Sequence, residues 1–328
     1  MSSGAKRATW YIREDTAGET PATGAWKSLL RTSFGLGPTY GTGTSSEIGA
    51  SRMSQGSNQT TAVVEGDIGQ ILHYGMQDDF LASVFGNEWD NNTLTLGDER
   101  IAFSIASEDT DIGVHGLAKG CQVGALTMSF TADGEIEFTP TFVGLSWDDR
   151  RDESFVGTKG AEPTSKRMTF KNITGVRLGG QTLAGAACVD NFSITFDNTM
   201  QVQRCVGTGT PWAGANIQTT FAPTGSIVLA WSPLAYDLYA AQKKQYRVPF
   251  EFDLSNDEGS YTFSFPMVEI SADWPDAGAT EITQVTLNIA AAVQPPTITR
   301  TPAATDGAEL QTTDGVYTTA DGQVYEVQ

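Results

Sequence analysis

Residues 60–86 read TTAVVEGDIGQILHYGMQDDFLASVFG, and within them the apolar period changes once. Between Ala62 and Tyr74 the even positions (Ala62, Val64, Ile68, Leu72, Tyr74) are mostly apolar and the odd ones mostly are not, the period of a half-buried strand. From Gln77 onward Phe80, Leu81, Val84 and Phe85 form an i, i+1, i+4, i+5 stripe closed by Gly86, which predicts a short helix over about 77–86 with Gln77 and Asp78 as acceptors at its start. The second half repeats this order. Gly225-Ser226-Ile227-Val228-Leu229 reads as a strand, Ser232-Pro233 as N-cap and first helical residue, and Leu234, Leu238 and Tyr239 as the buried face of a helix over about 232–242.

The spacing supports the repeat. Ile68 lies 11 residues before Asp79 and Ile227 lies 10 before Asp237, and each helix is followed by a similar strand opening, Arg100-Ile101-Ala102-Phe103 and Arg247-Val248-Pro249-Phe250. The first copy is longer because 86–99 inserts a hairpin-like GNEWDNNTLTLGDE. Two copies in 328 residues imply two fused domains rather than a solenoid, which needs at least three. With 35 glycines, 10% aromatics and little helical periodicity outside those two helices and Gly24–Arg31, the expected class is mainly β: two similar β-sandwich or barrel domains, each with one short α-helix, from internal duplication.

Along the chain, the expected domains are 1–150, a linker at 151–165 within the charged run SWDDRRDESFVGTKGAEPTS, 166–295, and a tail at 296–328 with a small hairpin. Ala8–Arg13 reads as a first strand, 101–106, 121–130 and 135–143 as a meander, and Tyr246–Met267 as a hairpin with every second residue apolar. Residues 35–61 and 199–222, poor in apolar periodicity, read as long loops suited to reaching a neighbouring subunit.

Charge and chemistry narrow the function. The formal charge of −19 works against holding a polyanion. Three cysteines at unrelated spacings suit buried free thiols better than a disulfide framework. No apolar run approaches a membrane span, and the first residues lack a secretory h-region, so assembly in the cytoplasm without a membrane anchor is expected. Of the two histidines, His73 lies on a strand and His115 in the loop IGVHG, neither with partners at metal-ligand or triad spacing. The acids at 148–153 alternate with arginines and lack calcium-loop spacing, and the two GTGT strings lack the Lys-Ser/Thr of a phosphate loop. No catalytic residue, metal or cofactor is expected.

The run Ser46-Glu47-Ile48, Ser51-Arg52, Val64-Glu65-Gly66-Asp67-Ile68, Tyr74-Gly75, Asp78-Asp79-Phe80-Leu81 and Phe85-Gly86-Asn87-Glu88-Trp89 resembles the major tail tube proteins of long-tailed bacteriophages, in the group with two fused tube domains. Asp190-Asn191-Phe192, Gly225-Ser226-Ile227 and Gly259-Ser260-Tyr261-Thr262-Phe263 continue the likeness, which spans about residues 5–293. The resemblance implies a virion protein whose rings, three chains with six similar domains each, stack into a hollow tail tube for DNA. It also implies tape-measure, terminator and distal tail proteins as partners. Tyr40, Ser46, Glu47, Ile48, Arg52, Met53, Gln203, Arg204 and Trp212 are then candidates for contacts between subunits, and Glu135, Glu137, Glu251 and Asp253 for acids facing the bore. The rival readings are a decoration or terminator protein of the virion, and a two-domain carbohydrate-binding module using Trp147, Trp212 and Trp231.

Overall fold

The computed structural model describes residues 4–47, 53, 56–183, 185–206 and 209–303, with three further short strands beyond. The first half runs β1 (Arg7–Arg13), β2 (Ala25–Ser28), β3 (Gly37–Thr44), β4 (Ser57–Asp67), β5 (Gln70–Ile71), α1 (Asp78–Phe85), β6 (Thr93–Leu94), β7 (Phe103–Asp109), β8 (Val114–Thr131), β9 (Glu137–Gly144) and β10 (Ser146–Arg151). After β11 (Thr158–Lys159) come β12 (Ile173–Leu178), β13 (Gln181–Thr182), β14 (Val189–Asp197), β15 (Gln201–Gln203), β16 (Ala215–Ile217), β17 (Thr224–Ala230) and α2 (Pro233–Ala241). The chain continues through β18 (Val248–Asn256), β19 (Gly259–Ser271), β20 (Gln284–Ala291) and β21 (Thr297–Pro302). β22 (Gln311–Thr313), β23 (Val316–Thr318) and β24 (Val324–Glu326) form a small antiparallel sheet apart. The fold is mainly β and sandwich-like, with two α-helices.

The two halves are wired alike. In the first, β1 pairs with β2 and β7, β8 with β7, β9 and β10, and β4 with β3 and β9. In the second, β12 pairs with β13 and β18, β19 with β18, β20 and β21, and β17 with β14 and β20. Each of these seven pairings in one half has its antiparallel counterpart in the other. A further antiparallel ladder joins them: residues 125–131 of β8 pair with 191–197 of β14, from Ala125 opposite Asp197 to Thr131 opposite Asn191.

Both helices follow their local signals. α1 ends at Gly86 in the left-handed conformation (φ 61°), as the sequence pattern requires, and Phe80, Leu81, Val84 and Phe85 are fully buried. At α2, the Ser232 hydroxyl accepts from the Ala235 N–H at 3.2 Å, with Pro233 as the first helical residue. One apolar cluster runs through both halves, and Phe130 of β8 stacks on Phe192 of β14 at 4.1 Å where they join. A second cluster (Trp10, Ile12, Trp26, Ala106, Leu117, Val156) covers the other face of the first sheet. β8 passes from its ladders with β7 and β10 to those with β9 and β14 at Gly120 (φ 64°), where a side chain would strike Leu145.

Several sequence expectations change. Gln77 and Asp78 do not cap α1: the Gln77 side chain accepts from the His73 N–H, and the Asp78 carboxylate turns into the core. Residues 35–61 are largely a β-hairpin, because β3 pairs with β4 from Gly37 opposite Glu65 to Thr44 opposite Ser57. Gly24–Arg31 holds strand β2 rather than a helix, its apolar spacing arising from Trp26 packing under β1 and Leu29 turning into the core. The charged run read as a tether lies on the first half: Ser146–Arg151 is β10 beside β8, and Thr158–Lys159 pairs with β2. Buried Glu108 fastens it, accepting from Lys159 Nζ at 2.7 Å and from the Ser154 hydroxyl. Residues 297–302, assigned to the tail, are β21 beside β19 and β6. His115 is buried on β8. Only Cys121 is buried; Cys188 and Cys205 are exposed.

Candidate functional site

Six strands in the order β4, β9, β8, β14, β17 and β20 make one continuous sheet across both halves. Their inward residues, such as Val64, Phe138, Met128, Ile194, Ile227 and Leu287, are buried in the shared core. Strand alternation sends the intervening residues to the opposite, wet face. That face carries Thr139 and Thr141 on β9, Thr127, Ser129 and Thr131 on β8, Ser193 and Thr195 on β14, Thr224 and Ser226 on β17, and Thr286 and Asn288 on β20.

These side chains bond sideways, along the sheet. The Thr127 and Thr195 hydroxyls lie 3.0 Å apart, those of Ser193 and Ser226 3.1 Å, and Thr141 Oγ1 donates to Asp67 Oδ1 at 2.6 Å. The charged residues at these outward positions are Glu65, Asp67, Glu137 and Asp197, with no lysine or arginine among them. Such a face is hydrated and mildly anionic, and it offers a phosphate chain no cation to hold.

The sheet ends in open edges on both sides. At one, residues 32–35 follow 67–69 through Thr32 N–H to Gly69 O and Gly35 N–H to Asp67 O, both 2.7 Å, and their outer edge has no strand partner among the described residues. At the other, β19 ends at Ser271, and neither the outer side of its last residues, 269–271, nor the segment 272–276 that follows has a strand partner among the described residues.

The candidate acids divide. Glu137 lies on the hydroxyl face, exposed on β9. Glu135 pairs with Arg167 at 2.8 Å. Glu251 and Asp253 lie on β18, outside the six strands, and share Arg177 at 3.1 and 2.8 Å. Of the subunit-contact candidates, Tyr40 and Trp212 pack at 5.9 Å, and Arg204 Nη1 donates to Ala62 O and Pro211 O. The β15–β16 arm carrying Gln203 thus lies across the first half of its own chain, where Asn216 Nδ2 donates to Val143 O at 3.0 Å. Ser46 and Glu47 are exposed beyond β3 and Met53 is 78% exposed, while Ile48 and Arg52 lie outside the described residues. Sequence reasoning reaches the hydroxyl face only on β9, through Glu137, and does not single out the edge segments at 32–37 and 270–276. The first was legible in the residues alternating with Leu126, Met128 and Phe130.

The halves are also latched by charge. Tyr261 of β19 donates to Asp78 Oδ1 at 2.5 Å, Arg300 of β21 ion-pairs with Asp78 and stacks 4.6 Å over Trp89, and the Gly75 N–H donates to the Tyr261 hydroxyl at 2.7 Å. Burial pushes the Asp78 carboxyl above its ordinary range against the pull of Tyr261 and Arg300. Among the described residues no group of three or more His, Cys, Asp or Glu side chains is placed to hold a metal, and no helix is long and apolar enough to cross a membrane.

Comparison with known proteins agrees with the sheet. The family described as phage tail tube protein matches residues 4–291, nearly the whole chain, and the chain belongs to that family. No curated protein matches it.

Proposed function

With tail tube membership as the premise, we propose that three chains close into a ring and that rings stack into the hollow tube through which DNA leaves the capsid. The observation that carries this reading is the six-strand sheet with its open edges. Counting β3 and β19, each chain brings eight strands, four from each half. Three chains would make a barrel of about twenty-four strands, wider than the 16–18-stranded barrels that already leave an aqueous channel. Closure removes the edges that would otherwise template aggregation, and head-to-tail stacking of closed rings gives a filament. The matching pairings of the two halves fit descent from one duplicated tube domain, so that six similar units surround the bore.

In this reading the hydroxyl face lines the bore. Glu137 keeps its assignment there, while the arginine pairing of Glu135, Glu251 and Asp253 reduces their share of any repulsion. The hairpin end with Ser46, Glu47 and Met53 is left to contact a neighbouring chain or ring. The ends of the tube would meet the terminator and distal tail proteins, and the tape-measure protein would occupy the bore before DNA.

Electron microscopy of the purified chain at rising concentration tests the proposal. Rings of constant diameter that lengthen into hollow filaments are expected. Monodisperse monomers at every concentration would overturn it.

A further inference from the structure

The two helices end alike. After α1 the Gly86 N–H donates to Ser83 O and the Asn87 N–H to Ala82 O; after α2 the Gln245 N–H donates to Gln242 O and the Tyr246 N–H to Ala241 O. Gly86 and Gln245 are both left-handed, at φ 61° and 53°. Ser83 therefore corresponds to Gln242.

Their surroundings differ. Every residue of α1 except Asp79 is buried, whereas in α2 only Ala235 and Leu238 are. The cover over the end of α1 comes from the other half, in the segment between β14 and β17. Buried Asn198 reaches between helix and sheet, its Nδ2 donating to Val84 O at 2.8 Å and to Val123 O at 3.1 Å. Gln218 Nε2 donates to Ser83 O at 3.4 Å, and the Phe221 ring packs on Phe85 at 5.4 Å. Both amides reach last-turn carbonyls, which a helix leaves without intrahelical partners. At the same place on the second half, between 242–247 and 267–270 of β19, lies a cleft of about 640 Å³ with Tyr246 59% exposed on its wall.

The counterpart of the covering segment is the β3–β4 hairpin, and two features align it. A side chain at Gly66 would strike Gly35 O and one at Gly225 would strike Ser193 O, so Gly66 corresponds to Gly225 and Gly35 to Ser193. Seven residues before each of the glycines at 66 and 225 begins the same tripeptide, Gln59-Thr60-Thr61 and Gln218-Thr219-Thr220. Gln59 thus corresponds to Gln218, and Tyr40, five residues after Gly35, to Asn198, five after Ser193. Gln59 is exposed. Tyr40 pairs with buried Ala62, which puts it on the core side of β3, and yet it is 50% exposed.

We propose that the β3–β4 hairpin of a second copy seats on the C-terminal end of α2, with Tyr40 in the cleft and Gln59 donating to Gln242 O. It thereby completes around α2 the cover that 198–221 gives α1. This rests on the tube reading above, in which the passage from chain to chain repeats the passage from half to half. Seating covers the exposed parts of Tyr40 and Tyr246 and adds a hydrogen bond at a helix-end carbonyl.

Replacing Tyr40 by p-benzoylphenylalanine and mixing isotopically heavy and light chains locates the contact. Irradiated tubes should carry links from position 40 to 242–247 or 267–270 of a second copy, and unassembled chains should not. Tubes whose links between chains from position 40 map elsewhere would overturn the seat and leave the tube reading standing; failure of the unmodified chain to assemble would overturn the tube reading itself. Should the variant not assemble or give no links, hydrogen exchange on the unmodified protein decides: slowed exchange at 242–247 and 57–61 on assembly supports the seat, and unchanged exchange there refutes it. Gln59→Ala should raise the critical concentration for assembly about fivefold, the net worth of one hydrogen bond; an unchanged value would overturn the role of Gln59 at the helix end.

Discussion

Removing the ring of Phe196 tests whether the two halves are one packed unit. Phe196 is fully buried on β14, with the rings of Phe85 at 5.3 Å, Phe265 at 5.9 Å and Phe221 at 6.2 Å. Phe85 belongs to α1 in the first half and the other two to the second, so the ring is a hinge pin between them. A Phe→Ala change in a core costs about 3–5 kcal/mol, combining lost transfer free energy with the cavity left behind. Against a total stability of about 5–15 kcal/mol this is a large fraction. Urea denaturation of unassembled Phe196→Ala, followed by tryptophan fluorescence and by circular dichroism, should show one coincident transition at a lower midpoint. Val202→Ala, at a 38% exposed position on β15, should stay within about 0.5 kcal/mol of the parent. A loss below about 1 kcal/mol for Phe196→Ala, or a second transition in which the first half keeps the parent midpoint, would refute the shared-core account.

Asp78→Asn tests the latch by its pH dependence. A carboxyl whose folded pKa is raised contributes stability that is present below its unfolded pKa, near about 3.9, and lost as pH rises through the folded value. The parent should therefore lose stability relative to Asp78→Asn between acid and neutral pH, and a flat or opposite trend in paired melts would contradict this. Glu108 has the opposite sign: although burial opposes ionisation, Lys159 and Ser154 hold its carboxyl below the usual range, so its contribution is present above about pH 4.3 and fades in acid. Glu108→Gln should make 152–160 more sensitive to limited proteolysis at neutral pH, and equal cleavage rates would show that the strap is held otherwise. Thr286→Lys places a cation at an exposed outward position of the hydroxyl face; its tubes should form normally but retain DNA in a salt-dependent way. Salt-independent passage like that of the parent would argue that this face does not line the bore.

Much of the fold was legible because its core strands alternate cleanly. The buried faces of α1, of the β18–β19 hairpin and of β20 stand at the positions the periodicity picks out. The misreadings share a cause. β3 (GPTYGTGT) and β10 (SWDDRR) present little apolar surface, since each lies toward an edge and much of each faces solvent, so neither shows the alternation of a core strand. β21 was hidden by the prolines before it and by a single buried residue, Ile298. The site was less legible still, because an open edge is defined by main-chain groups, which every residue carries alike.

The most direct test is a cryo-electron microscopy reconstruction of the assembled tube, read at the level of strand pairing. The account predicts an unbroken inner sheet that passes from the β19 edge of each chain to the β3 edge of the next, with Thr127, Ser193 and Thr195 on the bore. A tube whose bore is lined by other elements, or whose chains meet with these two edges left free, would contradict it.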